Sequence, residues 1–185
     1  MERVEVSTLV YVPPPEVYEF LVDFPRYARY SEYLESVTQD GNGSAWTRYD
    51  LTFSWWKLSY TARSEVTNLD PPERIDWRLI RHIDARGYWK VTSEPESAPE
   101  GIDDASRVSF LVDFSPESAD DDALDLPRFV SMERVVDAVI PKIKGEAERV
   151  VERVVADLEG EPRDVSLEVH TTPGENVGES EQPSS

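Results

Sequence analysis

Between Trp46 and Phe114 the chain sets bulky apolar residues at every second position, strand after strand. The clearest runs are Leu58, Tyr60, Ala62, then Ile75, Trp77, Leu79, then Gly87, Trp89, Val91, then Val108, Phe110, Val112, Phe114. A period of two gives each strand one apolar and one polar face. An antiparallel sheet made of such strands has to cover its apolar face. The segment long enough to do so follows Pro127. Its apolar stripe runs from Met132 through Val136, Ile140, Ile143, Ala147, Val151 and Val155 to Leu158, which predicts a long amphipathic helix. A curved sheet gripping one helix either packs solid or leaves a pocket lined by aromatic rings. That alternative carries the functional question.

The remaining elements fall into place around this frame. Arg3 to Val12 reads as a first strand, with Val4, Val6, Val10 and Val12 on one face. Pro13, Pro14 and Pro15 forbid its continuation and suit the first turn of a helix. Val17, Phe20 and Leu21 make that helix amphipathic, and Pro25 ends it. A second short helix is expected with Tyr27, Tyr30 and Tyr33 along one side. Asp40-Gly41-Asn42-Gly43 is a turn signal, and Pro71-Pro72 makes another. Pro141 inside the long helix predicts a kink or break. Two acidic stretches, 95–104 and 116–125, read as solvated loops. The expected domain is residues 1–159, and the polar residues 160–185 read as an acidic, largely disordered tail. Within that tail only Val165, Leu167 and Val169 show any hydrophobic periodicity.

Composition excludes several chemistries. The chain has 185 residues and no cysteine, so disulfides, thiol catalysis and thiolate metal sites are ruled out. A core of this length needs neither disulfide nor metal to fold. The formal net charge is −19, with lysine only at Lys57, Lys90, Lys142 and Lys144. Such a surface repels nucleic acid and anionic lipid headgroups. The acidity is spread along the whole chain, as an adaptation to strong salt would be. At about 1 M salt the Debye length falls to roughly 3 Å, so self-repulsion costs little. No basic-then-apolar leader opens the sequence, and no apolar run is long enough to span a membrane, so a cytoplasmic location is expected.

Four stretches carry a resemblance to a known family. They are DFPRYARYSEYLESV from Asp23 to Val37, PPERIDWRL from Pro71 to Leu79, GYWKV from Gly87 to Val91, and SRVSFLVDF from Ser106 to Phe114. With the element order they resemble the START-like, helix-grip superfamily (SRPBCC) of polyketide cyclases, dehydrases and lipid-transport proteins, and within it the coenzyme Q-binding START-domain group. The resemblance implies an α+β helix-grip fold. In it a curved antiparallel sheet of about seven strands wraps a long C-terminal helix, with two short helices after the first strand. It also implies a cavity between sheet and helix for a hydrophobic small molecule, and no cofactor.

The residues expected to line that cavity are Tyr27, Tyr30, Phe53, Trp55, Leu58, Tyr60, Trp77, Leu79, Trp89, Phe110, Val112, Val136, Ile140 and Ile143. The bland reading of the same rings is core packing, which large aromatics do in most domains. Trp55 and Trp56 fall at a strand tip, where an indole pair either docks transiently on a membrane or packs back on its neighbours. Arg81 follows the inward parity of Trp77 and Leu79, or else lies past the strand end in solvent. Acid–base candidates are few: Asp50, His82, Asp84 and Tyr60. A single histidine with no second ligand does not make a metal site. Asp120, Asp121, Asp122 and Asp125 lack the spacing and glycine of a calcium loop.

Three readings of function follow. The first is binding or carriage of a quinone, isoprenoid or other lipid-like molecule, driven by burial of apolar surface. The second is a cyclase or dehydrase acting on a polyketide-like substrate. The third is a protein-interaction module with a filled core. Nothing in the sequence fixes the oligomeric state.

Overall fold

The computed structural model describes residues 1–55, 58–118 and 132–172, with backbone alone for 58, 116 and 132–144. Strand β1 (Glu2–Val10) leads into helix α1 (Pro14–Val22) and a 3-10 helix over Phe24–Arg29. Six strands follow: β2 (Leu34–Asp40), β3 (Arg48–Trp55), β4 (Leu58–Asp70), β5 (Arg74–Leu79), β6 (Asp84–Ser93) and β7 (Ser106–Ser115). Helix α2 (Met132–Glu159) and strand β8 (Glu168–Thr172) end the described chain. The sheet is eight-stranded, in the order β2-β3-β4-β5-β6-β7-β1-β8, and its neighbouring strands are antiparallel. This is the helix-grip α+β fold.

Hairpins make most of the sheet, so sequential strands are neighbours; β1 is the exception, pairing β7 from the other end of the chain. The register sorts side chains cleanly. Tyr49, Val66, Ile75, Val91 and Val108 face the core, where α1 supplies Val17, Phe20 and Leu21 and the 3-10 helix supplies Phe24. The opposite face carries cross-strand ion pairs. Arg48 and Arg78 both hold Glu65, at 3.0 and 2.7 Å, and Arg63 holds Asp50 at 3.1 Å.

The C-terminal half of α2 closes one end of the concave side. Val155 is fully buried, and Val150, Val151, Val154 and Leu158 pack beside it. Polar ties fix its angle. The Tyr30 hydroxyl donates to Asp157 Oδ2 at 2.6 Å, Arg153 Nη1 donates to the Tyr30 carbonyl at 2.6 Å, and the Tyr11 N–H donates to Glu159 Oε2 at 2.9 Å. Buried Glu146 accepts from the Glu32 N–H at 3.2 Å and pairs with Arg149 at 3.1 Å.

Four expectations are corrected. The helix runs as one element through Pro141, with no break. The second short helix is a 3-10 turn that stops at Arg29, so Tyr33 lies outside it. The sheet has eight strands where about seven were expected. The eighth is the reason: Glu168–Thr172, expected to be disordered, pairs with β1. The outer edge of β1 leaves backbone groups unpaired, and the tail supplies a partner. Val165 packs against the core and Thr8 Oγ1 donates to the Ser166 carbonyl at 2.9 Å, which leads the tail to that edge. The aspartates from 120 to 125, Trp56 and residues 173–185 lie outside the described residues. Among the described residues no helix is long and apolar enough to cross a membrane.

Candidate functional site

Burial falls along β3, β5 and β7 as they leave the closed end; on β6 it falls from Val91 to Trp89 and returns at Ala85, 4% exposed opposite Phe114. On β3, Tyr49 is 2% exposed and Phe53 is 38% exposed, with half-buried Leu51 between. On β5, Ile75 is fully buried while Trp77 and Leu79 are half-buried. On β6, buried Val91 gives way to half-buried Trp89, and on β7 buried Val108 gives way to Phe110, Val112 and Phe114. The concave face thus has a sealed end under α1 and the C-terminal half of α2, and an apolar end that is only partly covered.

A continuous run of rings joins the two ends. Tyr49 lies 4.7 Å from Phe24, Phe24 lies 5.2 Å from Tyr27, and Tyr27 meets Trp89 edge-on at 6.5 Å. Trp89 lies 4.6 Å from Phe110, and Phe110 stacks on Trp77 at 5.6 Å with planes 8° apart. Gly87 makes the last step geometrically feasible. A Cβ there would run into the Leu111 carbonyl oxygen and sit 2.8 Å from Trp77 Cζ2. Only a residue without a side chain lets the indole lie over β6. The Trp77 Nε1 group is buried and has no hydrogen-bond partner among the described residues.

The expected lining residues divide between the two ends. Tyr27 and Tyr30 belong to the sealed end and work as core. The Tyr27 hydroxyl donates to the Leu21 carbonyl, and burial pushes its phenol well up. Burial also raises Tyr30, with its bond to Asp157 adding to the shift. Trp89 bridges the ends. Phe53, Trp55, Tyr60, Trp77, Leu79, Phe110 and Val112 share the partly covered end through the pairs Phe53↔Tyr60 and Trp89↔Phe110 and the alignment of Trp77, Gly87 and Val112. Leu58 pairs with Trp55 in backbone register. Val136, Ile140 and Ile143 lie on α2, and their side chains are outside the described residues.

The acid–base candidates separate too. Asp50 sits on the outer face, paired across the ladder with Arg63, and is removed from the concave side. Asp84 is exposed at the start of β6, where its N–H donates to Ser118 Oγ at 2.8 Å. Arg81 is exposed beyond the end of β5. Tyr60 and His82 come together, ring centroids 6.1 Å apart. His82 holds φ at 71°, a conformation few non-glycine residues adopt. Burial raises the Tyr60 phenol, so it remains a proton donor at neutral pH. In the sequence His82 stands out for its neighbour Asp84; its pairing with Tyr60 depends on the β5–β6 turn and carries no local signal. A separate open cleft of about 340 Å³ lies at the 3-10 helix, lined by Asp23, Pro25, Arg26 and Arg29. Its charged lining sets it apart from the aromatic wall.

Comparison with known proteins agrees with this architecture. The family model described as polyketide cyclase / dehydrase and lipid transport matches residues 1–159. No curated protein sequence matches the chain. Among solved structures, the ZhuI aromatase/cyclase from Streptomyces sp. R1128 is similar, with a TM-score of 0.61 at 18% identity over 86% of this chain and 94% of that one. A protein from Thermus thermophilus gives 0.55 at 16% identity, over 85% and 97% of the two chains. The di-domain aromatase/cyclase of the steffimycin biosynthetic pathway gives 0.56 at 13% identity, over 85% of this chain and 50% of that one. Those likenesses establish a shared fold, and the match over residues 1–159 places the chain in the polyketide cyclase/dehydrase and lipid-transport family.

Proposed function

We propose that this protein binds a hydrophobic, ring-bearing small molecule between the partly covered end of its concave sheet and the N-terminal half of α2. The observation that carries the reading is the aromatic wall from Trp89 through Phe110 to Trp77, left half-exposed while the far end of the same face is sealed. Stacked rings offer area to a flat ligand, and each Å² of apolar surface buried contributes about 25 cal/mol. A quinone or isoprenoid head fits the same wall, and carriage then needs no chemistry. The exposed Phe53 and the neighbouring Trp55 stand at the mouth. Organic extraction and native mass spectrometry of the purified protein test the reading, with tryptophan fluorescence titration by a hydroxyanthraquinone as a direct probe. Quenching that saturates, and weakens in Phe110→Ala, is expected. No saturable quenching and no extractable molecule would overturn it.

A second reading is favoured by the Tyr60–His82 pair. A neutral phenol and an imidazole at the mouth supply a proton donor and a proton acceptor, which cyclisation or dehydration of a poly-β-carbonyl chain requires. Conversion of a poly-β-carbonyl probe that is lost in His82→Ala and Tyr60→Phe, with binding retained, supports catalysis. Recovery of the probe intact from the wild-type protein supports carriage alone.

A further inference from the structure

In a chain with 38 acidic and 19 basic residues, an arginine finds a carboxylate easily. From Arg3 beside Asp113 at 2.7 Å to Arg163 beside Glu159 at 2.6 Å, the described arginines of the sheet, of α2 and of the turn after it are mostly paired in this way. Arg26 and Arg29 are not. Among the described residues neither has a carboxylate within ion-pair distance, and no hydrogen bond or ring contact engages Arg29. Both lie on the 3-10 helix over Phe24–Arg29 and line the open cleft of about 340 Å³ with Asp23 and Pro25. A 3-10 helix has three residues per turn, so side chains at i and i+3 eclipse, and the two guanidinium groups rise from one column about 6 Å apart along the axis. Arg26 is held in place: its guanidinium carbon lies 5.5 Å from the centre of the Phe20 ring, and its Nε is buried with no hydrogen-bond partner among the described residues. Arg29 is exposed. Two like charges in one column repel each other, and an anion between them turns that repulsion into attraction.

We infer that this cleft binds a small molecule through an oxyanion, a carboxylate or a phosphate group, gripped between Arg26 and Arg29. The planar guanidinium fork matches two oxygens of either group, which a point-like ammonium does not. The two cations outnumber Asp23, the one carboxylate of the lining, so the cleft is locally positive on a chain whose formal charge is −19. Asp23 adds a selection. It accepts a hydrogen bond from a ligand that carries a hydroxyl and repels an oxyanion that has no hydrogen to offer. Hydrogen phosphate or a hydroxy acid therefore suits the lining better than a plain carboxylate. The volume lies at the small end of ligand pockets and suits a small molecule. The cleft is built on the 3-10 helix at the sealed end of the fold, whereas Phe53 and Trp55 stand at the mouth, so the inference is independent of what the concave face binds.

The test uses the full-length chain and nitrogen–proton NMR at matched pH and ionic strength. Inorganic phosphate, glycolate and acetate each replace chloride in turn, and the arginine Nε–H signals and the backbone amides from Asp23 to Tyr30 are followed. Saturable shifts with phosphate or glycolate are expected. Arg29→Gln alters only an exposed side chain, and Arg26→Lys keeps the charge but removes the fork; each should bind about tenfold more weakly. Exposed Arg86 on β6 supplies the control, and Arg86→Gln should bind as wild type. Saturation by phosphate alone assigns the ligand a phosphate group, and saturation by glycolate alone assigns it a carboxylate. Shifts that grow linearly with every anion would overturn the inference. So would binding that persists unchanged in Arg29→Gln, since the pair would then not be what grips the anion. Acetate binding as tightly as glycolate would overturn the part given to Asp23.

Discussion

Two residues show how single positions set the site. Gly87 has no room for a side chain, because its Cβ would enter the space of the Leu111 carbonyl oxygen and crowd Trp77. Gly87→Ala must therefore move β7 or lift the indole from β6, a strain of about 2 kcal/mol or more. The expected result is a lower urea midpoint together with weaker quenching of tryptophan by a flat ligand. Unchanged stability would mean that the strands slide freely there. Glu65 sits on the outer face with its side chain 5% exposed, between Arg48 and Arg78. Hydrogen bonds from Arg78 first and Arg48 second hold its carboxyl below the usual carboxylate range. A folded-state pKa below the unfolded one contributes stability that is present above the unfolded value and is lost as pH falls through the folded one. Glu65→Gln should flatten the stability profile below about pH 4.5 and leave the wild-type slope near neutrality unchanged. An unaltered acid limb in the variant would assign that slope to other carboxylates. Gly87 was half legible in the sequence, and Glu65 was not singled out there, because its two partners come from neighbouring strands. Period two placed Trp77 and Phe110 on one face, but the need for glycine opposite Trp77 appears only once β5 and β6 are in register.

Among the elements, the strands were the most readable because each carries its own alternation, and the register turned that into shared faces. The 3-10 helix and β8 were the least readable, for opposite reasons. The 3-10 helix over Phe24–Arg29 packs rings on several sides, so its aromatics suggested a longer helix reaching Tyr33. The alternation of Val165, Leu167 and Val169 reaches only the start of β8, whose five side chains are all exposed; its partner is a backbone edge about 160 residues away in sequence, in the pair Ser7↔Glu168. Pro141 was expected to kink or break α2; the break is absent, and the helix is one element whose C-terminal half is locked by polar ties. The Tyr30 hydroxyl joins the 3-10 helix to α2 through Asp157 at 2.6 Å. Tyr30→Phe removes that donor to a charged acceptor and should cost about 1 to 2 kcal/mol. Because the ring itself stays packed on Phe20 at 5.4 Å, the loss isolates the hydroxyl. A chemical-denaturation series on Tyr30→Phe, Asp157→Asn and the double variant checks it. Additive losses would show that the two groups act separately.

At the scale of the molecule, the charge and the fold pull against each other. A formal charge of −19 on 185 residues favours expansion of the chain by self-repulsion. The outer face answers locally by pairing scarce cations with carboxylates: Arg63 lies between Asp40 and Asp50, and Glu65 lies between Arg48 and Arg78. Salt weakens both effects. Pairs of this kind with a well-exposed partner contribute about 0 to 1 kcal/mol each, and screening removes only part of that. Repulsion among many unpaired carboxylates acts over the whole surface, and its range shrinks from about 10 Å at 0.1 M to roughly 3 Å at 1 M salt. Repulsion therefore outweighs the pairs, and the melting temperature should climb as KCl is raised across that interval. The gain should be smaller in a variant whose exposed glutamates at positions 19, 148 and 152 are changed to glutamine, because less repulsion is left to screen. Thermal melts of both proteins at matched KCl decide it. A wild-type melting temperature that falls with salt would show that the ion-pair ladders outweigh the repulsion, and that the acidity of the chain has to be explained by what it meets in solution.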